Sequence, residues 1–271
     1  MRKALFSIFF VSTLHAEFIN DADLDGVEDA QDKCPDTPFS DLIDTYGCTI
    51  RTLYTQTSYD IIMGLDLSRI NSNTLENTKT SNATFQADVY HGAFSAQLFT
   101  SYFQSEESSS NEYGWNDTQL NLFYAFKPLQ AFTIQTGIGV ILPTYSSGYH
   151  NEATDYRGNI ILKYTFESQF NLFGGTTYTL IKDKHVPRVT NYQNTDAFYG
   201  GIGYTSSKNN SVNLSYSQSE SIYTKVVPIE ILSLGTFIPL SNNWFVLGDY
   251  HYGVSESASD HDVALRVGYT F

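Results

Sequence analysis

The sequence predicts an all-β protein. Its main part is an antiparallel transmembrane β-barrel of about twelve strands, with ten and fourteen as the margins, preceded by a small calcium-binding segment stapled by a disulfide. Three observations carry this. Beyond Arg51 apolar residues recur with a period of two in segment after segment, the signature of strands with one apolar face. Charged residues make up only 16% of the 271 residues, against about 25% in soluble domains, while Tyr and Phe number 20 and 19. No apolar run approaches the roughly 20 residues that a membrane-crossing helix needs, which excludes a helical membrane protein. The 15% aromatic content excludes a disordered chain.

The N-terminus comes first. Arg2 and Lys3 precede the apolar run Ala4 to Val11, and Ser12 to Ala16 ends on a small residue. That order predicts a secretory signal peptide over residues 1–16, cleaved after Ala16. A short buried helix or strand is the alternative. No Cys follows the run, which argues against a lipid-anchored lipoprotein. Without the signal the chain carries 13 Lys+Arg against 29 Asp+Glu, net -16, so nucleic acid is not an expected partner. The acid is concentrated: residues 17–50 hold ten acidic side chains and one Lys, whereas residues 51–271 hold 19 acidic and 12 basic. A boundary near Arg51 follows, giving segments 17–50 and 51–271.

Within 17–50, the run from Asp21 to Asp32 places Asp21, Asp23, Asp25, Asp29 and Asp32 at loop positions 1, 3, 5, 9 and 12, with Gly26 at position 6. A calcium ion takes six to eight oxygens at a flexible spacing; the Gly permits the sharp turn and Val27 offers its carbonyl. An acidic linker needs neither the spacing nor the Gly. Calcium is therefore the expected ion. Cys34 and Cys48 follow, and in an exported chain two Cys most simply pair with each other. Ligation of a metal by the two thiols is the weaker reading, because the chain has no other Cys.

These residues, DADLDGVEDAQDKCPDTP followed by Ile43-Asp44 and Gly47-Cys48, resemble a bacterial thrombospondin type 3 repeat over residues 20–49. The resemblance implies Asp21, Asp23, Asp25, Asp29 and Asp32 as side-chain ligands and a Cys34–Cys48 bond. It also implies a periplasmic segment beside an outer-membrane barrel. A single repeat departs from the longer arrays of the family, so no rigid multi-calcium rod is expected.

Beyond Arg51 the alternation gives twelve strands, centred on 59–68, 83–90, 93–103, 116–126, 131–142, 155–166, 169–180, 196–205, 211–218, 229–238, 244–253 and 261–271. Short links at 91–92, 127–129, 167–168, 206–210 and 239–243 alternate with longer polar ones at 71–80, 105–113, 143–153 and 182–195. Short turns at one end and long loops at the other are how a bacterial outer-membrane barrel is built. A soluble sandwich is the rival, with strands that are usually shorter. Tyr59, Tyr90, Tyr102, Phe103, Trp115, Phe126, Phe132, Tyr156, Phe166, Phe170, Tyr204, Trp244, Tyr269 and Phe271 fall at or near strand ends, as girdles at two membrane interfaces require. The last strand, ending on Phe271 with Tyr269 before it, resembles the C-terminal signature of outer-membrane barrels. That resemblance implies the barrel-assembly machinery as a partner.

If Val263, Leu265, Val267 and Phe271 face lipid, Asp262 and Arg266 face the lumen. The same parity puts Asp60, Asp66, Asp88, Gln97, Gln119, Asn121, Gln135, Arg157, Asn159, Lys163, Asp249 and His251 inside. A charge facing lipid at the midplane costs about 2–4 kcal/mol for Arg or Lys, so the parity is physically enforced. The expected function is a porin-like outer-membrane channel passing small polar or anionic-to-neutral solutes, with the calcium segment beside the mouth or plugging it. The rival is a structural or adhesive barrel with a closed lumen, its charges paired off. A lipid-hydrolysing barrel needs His near a nucleophilic Ser. The six His are scattered: His15 leaves with the signal, His91 falls in a turn, His150, His185 and His261 lie in or beside loops, and His251 alone lies on a strand. No enzyme is expected.

Overall fold

The computed structural model describes residues 57–70, 77–107, 111–146, 152–183, 185–186 and 190–271, together with positions 27, 29, 31–34, 45, 46 and 48 near the N-terminus. The chain divides into two compact units, residues 1–56 and 57–271. Among the described residues there is no helix.

In the larger unit the period-two segments all become strands: β1 (Thr57–Ile70), β2 (Thr78–His91), β3 (Phe94–Glu106), β4 (Asn111–Trp115), β5 (Thr118–Leu129), β6 (Phe132–Leu142), β7 (Asp155–Thr165) and β8 (Phe170–Leu180). After a two-residue hairpin pair, β9 (His185–Val186) and β10 (Thr190–Asn191), come β11 (Thr195–Thr205), β12 (Ser211–Ser219), β13 (Ile229–Pro239), β14 (Trp244–Gly253) and β15 (His261–Thr270). The long strands pair antiparallel in chain order, with β3 bonded to both β4 and β5, β8 to β11, and β9 only to β10; β1 also pairs with β15, from Asp60↔Thr270 to Arg69↔His261. Twelve strands therefore close into a barrel, the number expected from the sequence.

Following directly opposed residues round the ring leads back to β1 about 14 residues further along. With strands about 4.8 Å apart and about 3.3 Å per residue, that stagger sets a tilt of roughly 39° and a wall radius of roughly 12 Å.

The wall is a single layer, and among the described residues no large side chain is fully buried. Its apolar residues point outward: on β1, Met63, Leu65 and Leu67 are 59%, 63% and 58% exposed, and Leu265 on β15 is 59% exposed. Ile62, on the other parity of β1, is buried. A soluble sandwich would turn these residues into a core. A continuous apolar belt on the outside is far larger than the few hundred Å² that soluble monomers expose.

The structure departs from the sequence reading at the strand ends. Thr78–Thr80, within the polar link expected at 71–80, extend β2 and pair with β1. Within 105–113, Ser105, Glu106 and Asn111–Tyr113 also extend the sheet, because β4 pairs with the end of β3 through Glu106↔Asn111. Between β4 and β5 the register shifts by one residue, a bulge at Asn116–Asp117. There Asn116 N donates to Ser101 O at 2.8 Å and its Nδ2 to Ser101 Oγ at 2.8 Å. Polar Thr, Ser and Asn carry no alternation signal, yet their backbones complete the ladder. Lys127-Pro128-Leu129, read as a turn, instead ends β5 across a register irregularity.

Two girdle assignments also change. Phe103 turns inward and is buried, stacked on Tyr145 at 5.5 Å, with Gly114 opposite leaving room for its ring. Tyr90 shares the inward parity of Asp88. Trp244, Tyr269 and Phe271 do cluster on the outer face at the short-turn end, with ring centroids 4.9 and 4.7 Å apart, and Phe271 N donates to Tyr59 O at 2.9 Å.

In the smaller unit Cys34 and Cys48 form a disulfide with Cα atoms 4.9 Å apart. The strand-like contact Lys33 N to Tyr46 O, at 2.9 Å, brings the two cysteines together, and Lys33 Nζ lies 3.7 Å from the Tyr46 ring centroid.

Candidate functional site: the inner wall and its mouth

Cross-strand register decides which side chains meet inside. A row of directly opposed inward residues runs Asp60, Asp88, Gln97, Asn121, Gly139, Arg157 and Thr179 across β1, β2, β3, β5, β6, β7 and β8. The structure places Asp60, Asp66, Asp88, Arg157, Lys163, Asp249, His251, Asp262 and Arg266 all on inward parity.

The charges are segregated. Asp60, Asp66, Asp88, Asp249 and Asp262 occupy four adjacent strands, β14, β15, β1 and β2. Arg157 and Lys163 stand on β7, five strands from β1 one way and six from β15 the other, which is the opposite wall. An ion pair on the inner face joins Arg266 and Asp249, neighbours on the acidic wall. Gly64, directly opposite Arg266, lets that side chain lie flat against the wall; a Cβ there would collide with Arg266 Cγ.

Other polar side chains are held by neutral partners. Thr270 Oγ1 donates to Asp60 Oδ1 at 2.7 Å, Asn82 Nδ2 to Asp66 Oδ1 at 3.2 Å, Gln86 Nε2 to Asp88 Oδ2 at 2.7 Å and Arg157 Nη1 to Gln119 Oε1 at 2.9 Å. Arg157 Nε, Asn159 Oδ1, Asp262 Oδ1 and Arg266 Nε have no protein partner although little of each atom is accessible. Polar atoms so placed are costly in a dry interior. Toward the short-turn end the inner face changes character, with Phe123, Phe173, Phe237 and Phe245 on inward parity, the last two 5.4 Å apart.

At the long-loop end lies a cavity of about 560 Å³ lined by Asp117, Asp155, Asp183, Arg157, Gln119, Tyr145, Tyr192 and Tyr223 among others. Its carboxylates are oriented by backbone: Tyr145 N donates to Asp117 at 2.9 Å, Lys182 N to Asp155 at 2.7 Å and Ala153 N to Asp183 at 3.2 Å. Tyr192 stacks on Tyr223 with centroids 5.5 Å apart. Burial, then the neighbouring Tyr223, Asp183 and Asp117, hold the Tyr192 phenol above its ordinary value. The sequence reading missed this mouth, since its residues come from four separate connections and carry no joint spacing signal.

His251 is not alone on a strand. His91 ends β2, His261 begins β15 and His185 lies in β9, while His15 and His150 lie outside the described residues. His251 Nδ1 is 2.7 Å from Ser233 Oγ, and His251 also opposes Asp262 across the β14–β15 ladder. Sequence distance hid this row. The surrounding strand N–H groups are committed to the ladder, so no pair of them is left for an oxyanion.

Of the calcium ligands expected from the sequence, Asp21, Asp23 and Asp25 lie outside the described residues. Asp32 Oδ1 accepts the Cys34 N–H at 2.7 Å, tying the end of the acidic loop to the disulfide. Among the described residues no three His, Cys, Asp or Glu side chains converge to hold a metal. The donor set as a whole is carboxylate and carbonyl oxygen, which fits a hard cation.

No protein-family model and no curated protein sequence matches the chain. Among solved structures, it is similar to an outer-membrane channel from Pseudomonas putida F1, with a TM-score of 0.60 at 9% identity over 85% of this chain and 100% of that one. It is also similar to the NanC porin, with a TM-score of 0.51 at 13% identity over 79% of this chain and 98% of that one. At these identities the likeness is one of fold: a twelve-stranded closed barrel.

Proposed function

We propose that the protein is a passive outer-membrane channel for small polar solutes, not an enzyme, with a preference for cations. The observation that carries this is the charge arrangement inside. Arg157 and Lys163 face the carboxylates of the opposite wall without pairing to them, and several inner polar atoms lack a protein partner. Both features fit a lumen filled with water, whereas a sealed barrel would pair its charges across. Inward carboxylates outnumber inward cations, and the mouth adds three more against the single Arg157. The balance favours cations among the small polar solutes expected from sequence, rather than the anionic-to-neutral ones named beside them.

Such a channel needs no moving part: side chains replace part of a solute's hydration while the wall excludes larger molecules. The apolar belt sits in lipid, the short turns and both barrel ends of the chain on the periplasmic side. Residues 1–16 are a signal peptide and residues 17–50 a calcium-binding periplasmic segment resembling a thrombospondin type 3 repeat. There Asp21, Asp23, Asp25, Val27, Asp29 and Asp32 hold Ca2+ beside the Cys34–Cys48 staple.

The closed structural barrel is the second reading, favoured by the inward Phe123, Phe173, Phe237 and Phe245. Planar-bilayer recordings separate the two. Ion current with cation selectivity is expected; no current from folded, inserted protein would refute the channel. Calcium-dependent protection of residues 17–50 from proteolysis tests the segment independently.

A further inference from the structure

Lys163 lies near the short-turn end of β7, where it opposes Thr133 on β6 and Phe173 on β8. It faces inward and is exposed. With Gln135, Asn171, Asn213, Thr205 and Ser211 it lines a cavity of about 350 Å³. Among the described residues no carboxylate lines this cavity. Glu167 stands in the turn after β7, outside the lining. Asp155 lies at the other end of β7, about 26 Å away at about 3.3 Å per residue. Asp249, two strands from Asn213 in register, is paired with Arg266. The acidic wall as a whole faces Lys163 across roughly 14 Å, twice the wall radius of roughly 12 Å less about 5 Å of side chain on each side. That exceeds the Debye length of about 10 Å at 0.1 M salt, so those carboxylates do not offset Lys163.

The neutral groups round Lys163 are fixed in place yet unbonded. Asn171 is only 8% exposed, and its amide lies flat on Gly203: a Cβ on that glycine would meet Nδ2 and Oδ1 equally, at 2.8 Å each. Asn213 opposes the same Gly203 from the other side and lies flat on Gly235. Asn121 packs on Gly139 elsewhere in the wall, but there the amide donates to Gln97 Oε1 at 3.2 Å. Among the described residues the side chains of Lys163, Gln135, Asn171 and Asn213 have no hydrogen-bond or ion-pair partner. Buried amides are ordinarily hydrogen-bonded, so that of Asn171 calls for a partner from the lumen. Lys163 offers donors only, and the amides and hydroxyls offer donors as well. An oxyanion satisfies several of them at once, through charge-assisted bonds of the stronger kind. Phe173 and Ile161 line the same cavity and give it an apolar side, suited to a carbon skeleton rather than a bare ion.

We propose that this cavity binds the carboxylate group of a small organic solute. It rests on the channel reading above, and adds to a lumen that prefers cations one place on the basic wall where an anionic group is held. Lys163 supplies the point charge, Asn171 and Asn213 directed N–H groups, and Phe173 the surface for the solute's carbon atoms.

The test uses the full chain folded in detergent at low salt and reads binding by titration calorimetry, with succinate, its neutral diamide and sodium phosphate as probes. Wild type is expected to bind succinate and not the diamide. K163Q should bind succinate at least tenfold more weakly, and N171A severalfold more weakly, both with unchanged heat-modifiable migration. Should K163Q not fold, N171A carries the test. K208Q removes a charge from the turn between β11 and β12, outside the lining, and should keep the wild-type affinity. Equal affinity in K163Q and wild type overturns the site, as does an equal loss in K208Q, which marks diffuse attraction. Phosphate binding as tight as that of succinate overturns an organic carboxylate in favour of any small anion. Failure of the channel reading looks different: folded wild type then binds succinate but carries no current in planar bilayers.

Discussion

Replacing Asp66 and Asp262 by Asn tests the charge reading of the lumen. Both lie on inward parity on adjacent strands, and Asn keeps the shape of each side chain. A wall radius of roughly 12 Å, less about 5 Å of side chain, leaves a carboxylate about 7 Å from the axis. In water a unit charge at that distance is worth about 0.6 kcal/mol, halved to about 0.3 kcal/mol by 0.1 M salt. The contribution has opposite sign for a cation and an anion, so removing one carboxylate lowers the cation-to-anion permeability ratio about threefold. The double variant should lose nearly an order of magnitude. Reversal potentials across a KCl gradient in planar bilayers measure it. At 1 M salt the Debye length is about 3 Å and the difference should almost vanish. Arg157→Gln should shift the ratio the other way by a similar factor. An unchanged ratio at 0.1 M, with normal conductance, would refute the assignment of these carboxylates to a conducting path.

Gly64→Ala puts a methyl group against Arg266 Cγ and 2.6 Å from Leu265 O, so it should dislodge the Arg266–Asp249 pair. A loss of about 1–3 kcal/mol is expected, read as a lower urea midpoint for the folded barrel. Cys34→Ser with Cys48→Ser removes a cross-link worth roughly 3 kcal/mol to its own segment. Proteolysis of residues 17–50 should accelerate while barrel migration stays the same; a destabilised barrel would contradict the division into two units. The Tyr192 phenol, held above its ordinary 10.0, should stay neutral and keep its contact with Tyr223 as pH passes that value, losing it only when pH passes the raised one. Ultraviolet titration should show a late ionisation step that Tyr192→Phe lacks.

Much of the barrel was legible because alternation is a local signal. Leu98 and Leu122 each sit two residues from another outward apolar residue, and lipid on one side forces that repeat. Thr78–Thr80 and Asn111–Tyr113 were not legible, because their pairing depends on partners already set by β1 and β3 and their side chains carry no apolar alternation. The inward list followed from parity alone, so Asp60, Arg157 and Arg266 could be assigned without a structure. What parity cannot give is which inward residues meet. Ser233, His251 and Asp262 share a row only through ladder registers, and the mouth around Asp155, Asp183 and Tyr192 is assembled by loops whose paths no spacing rule encodes. Phe103 departs from the girdle for a related reason: it lies near a strand end, but its odd parity on β3 points it inward.

The seam between β1 and β15 has a kinetic consequence. Thr270 Oγ1 reaches Asp60 Oδ1 across 210 residues, and the ladder there involves the first and last strands of the barrel. Neighbouring hairpins can zip as each is completed, but this pairing waits for the final strand and bears the largest loop-closure entropy of the fold. Until then the growing sheet presents two unsatisfied edges at once, each a template for a wrong partner. The step that completes the wall is therefore also the slowest expected from topology. A substitution that weakens the Asp60–Thr270 contact should lengthen the lifetime of the open sheet more than it lowers the stability of the finished barrel.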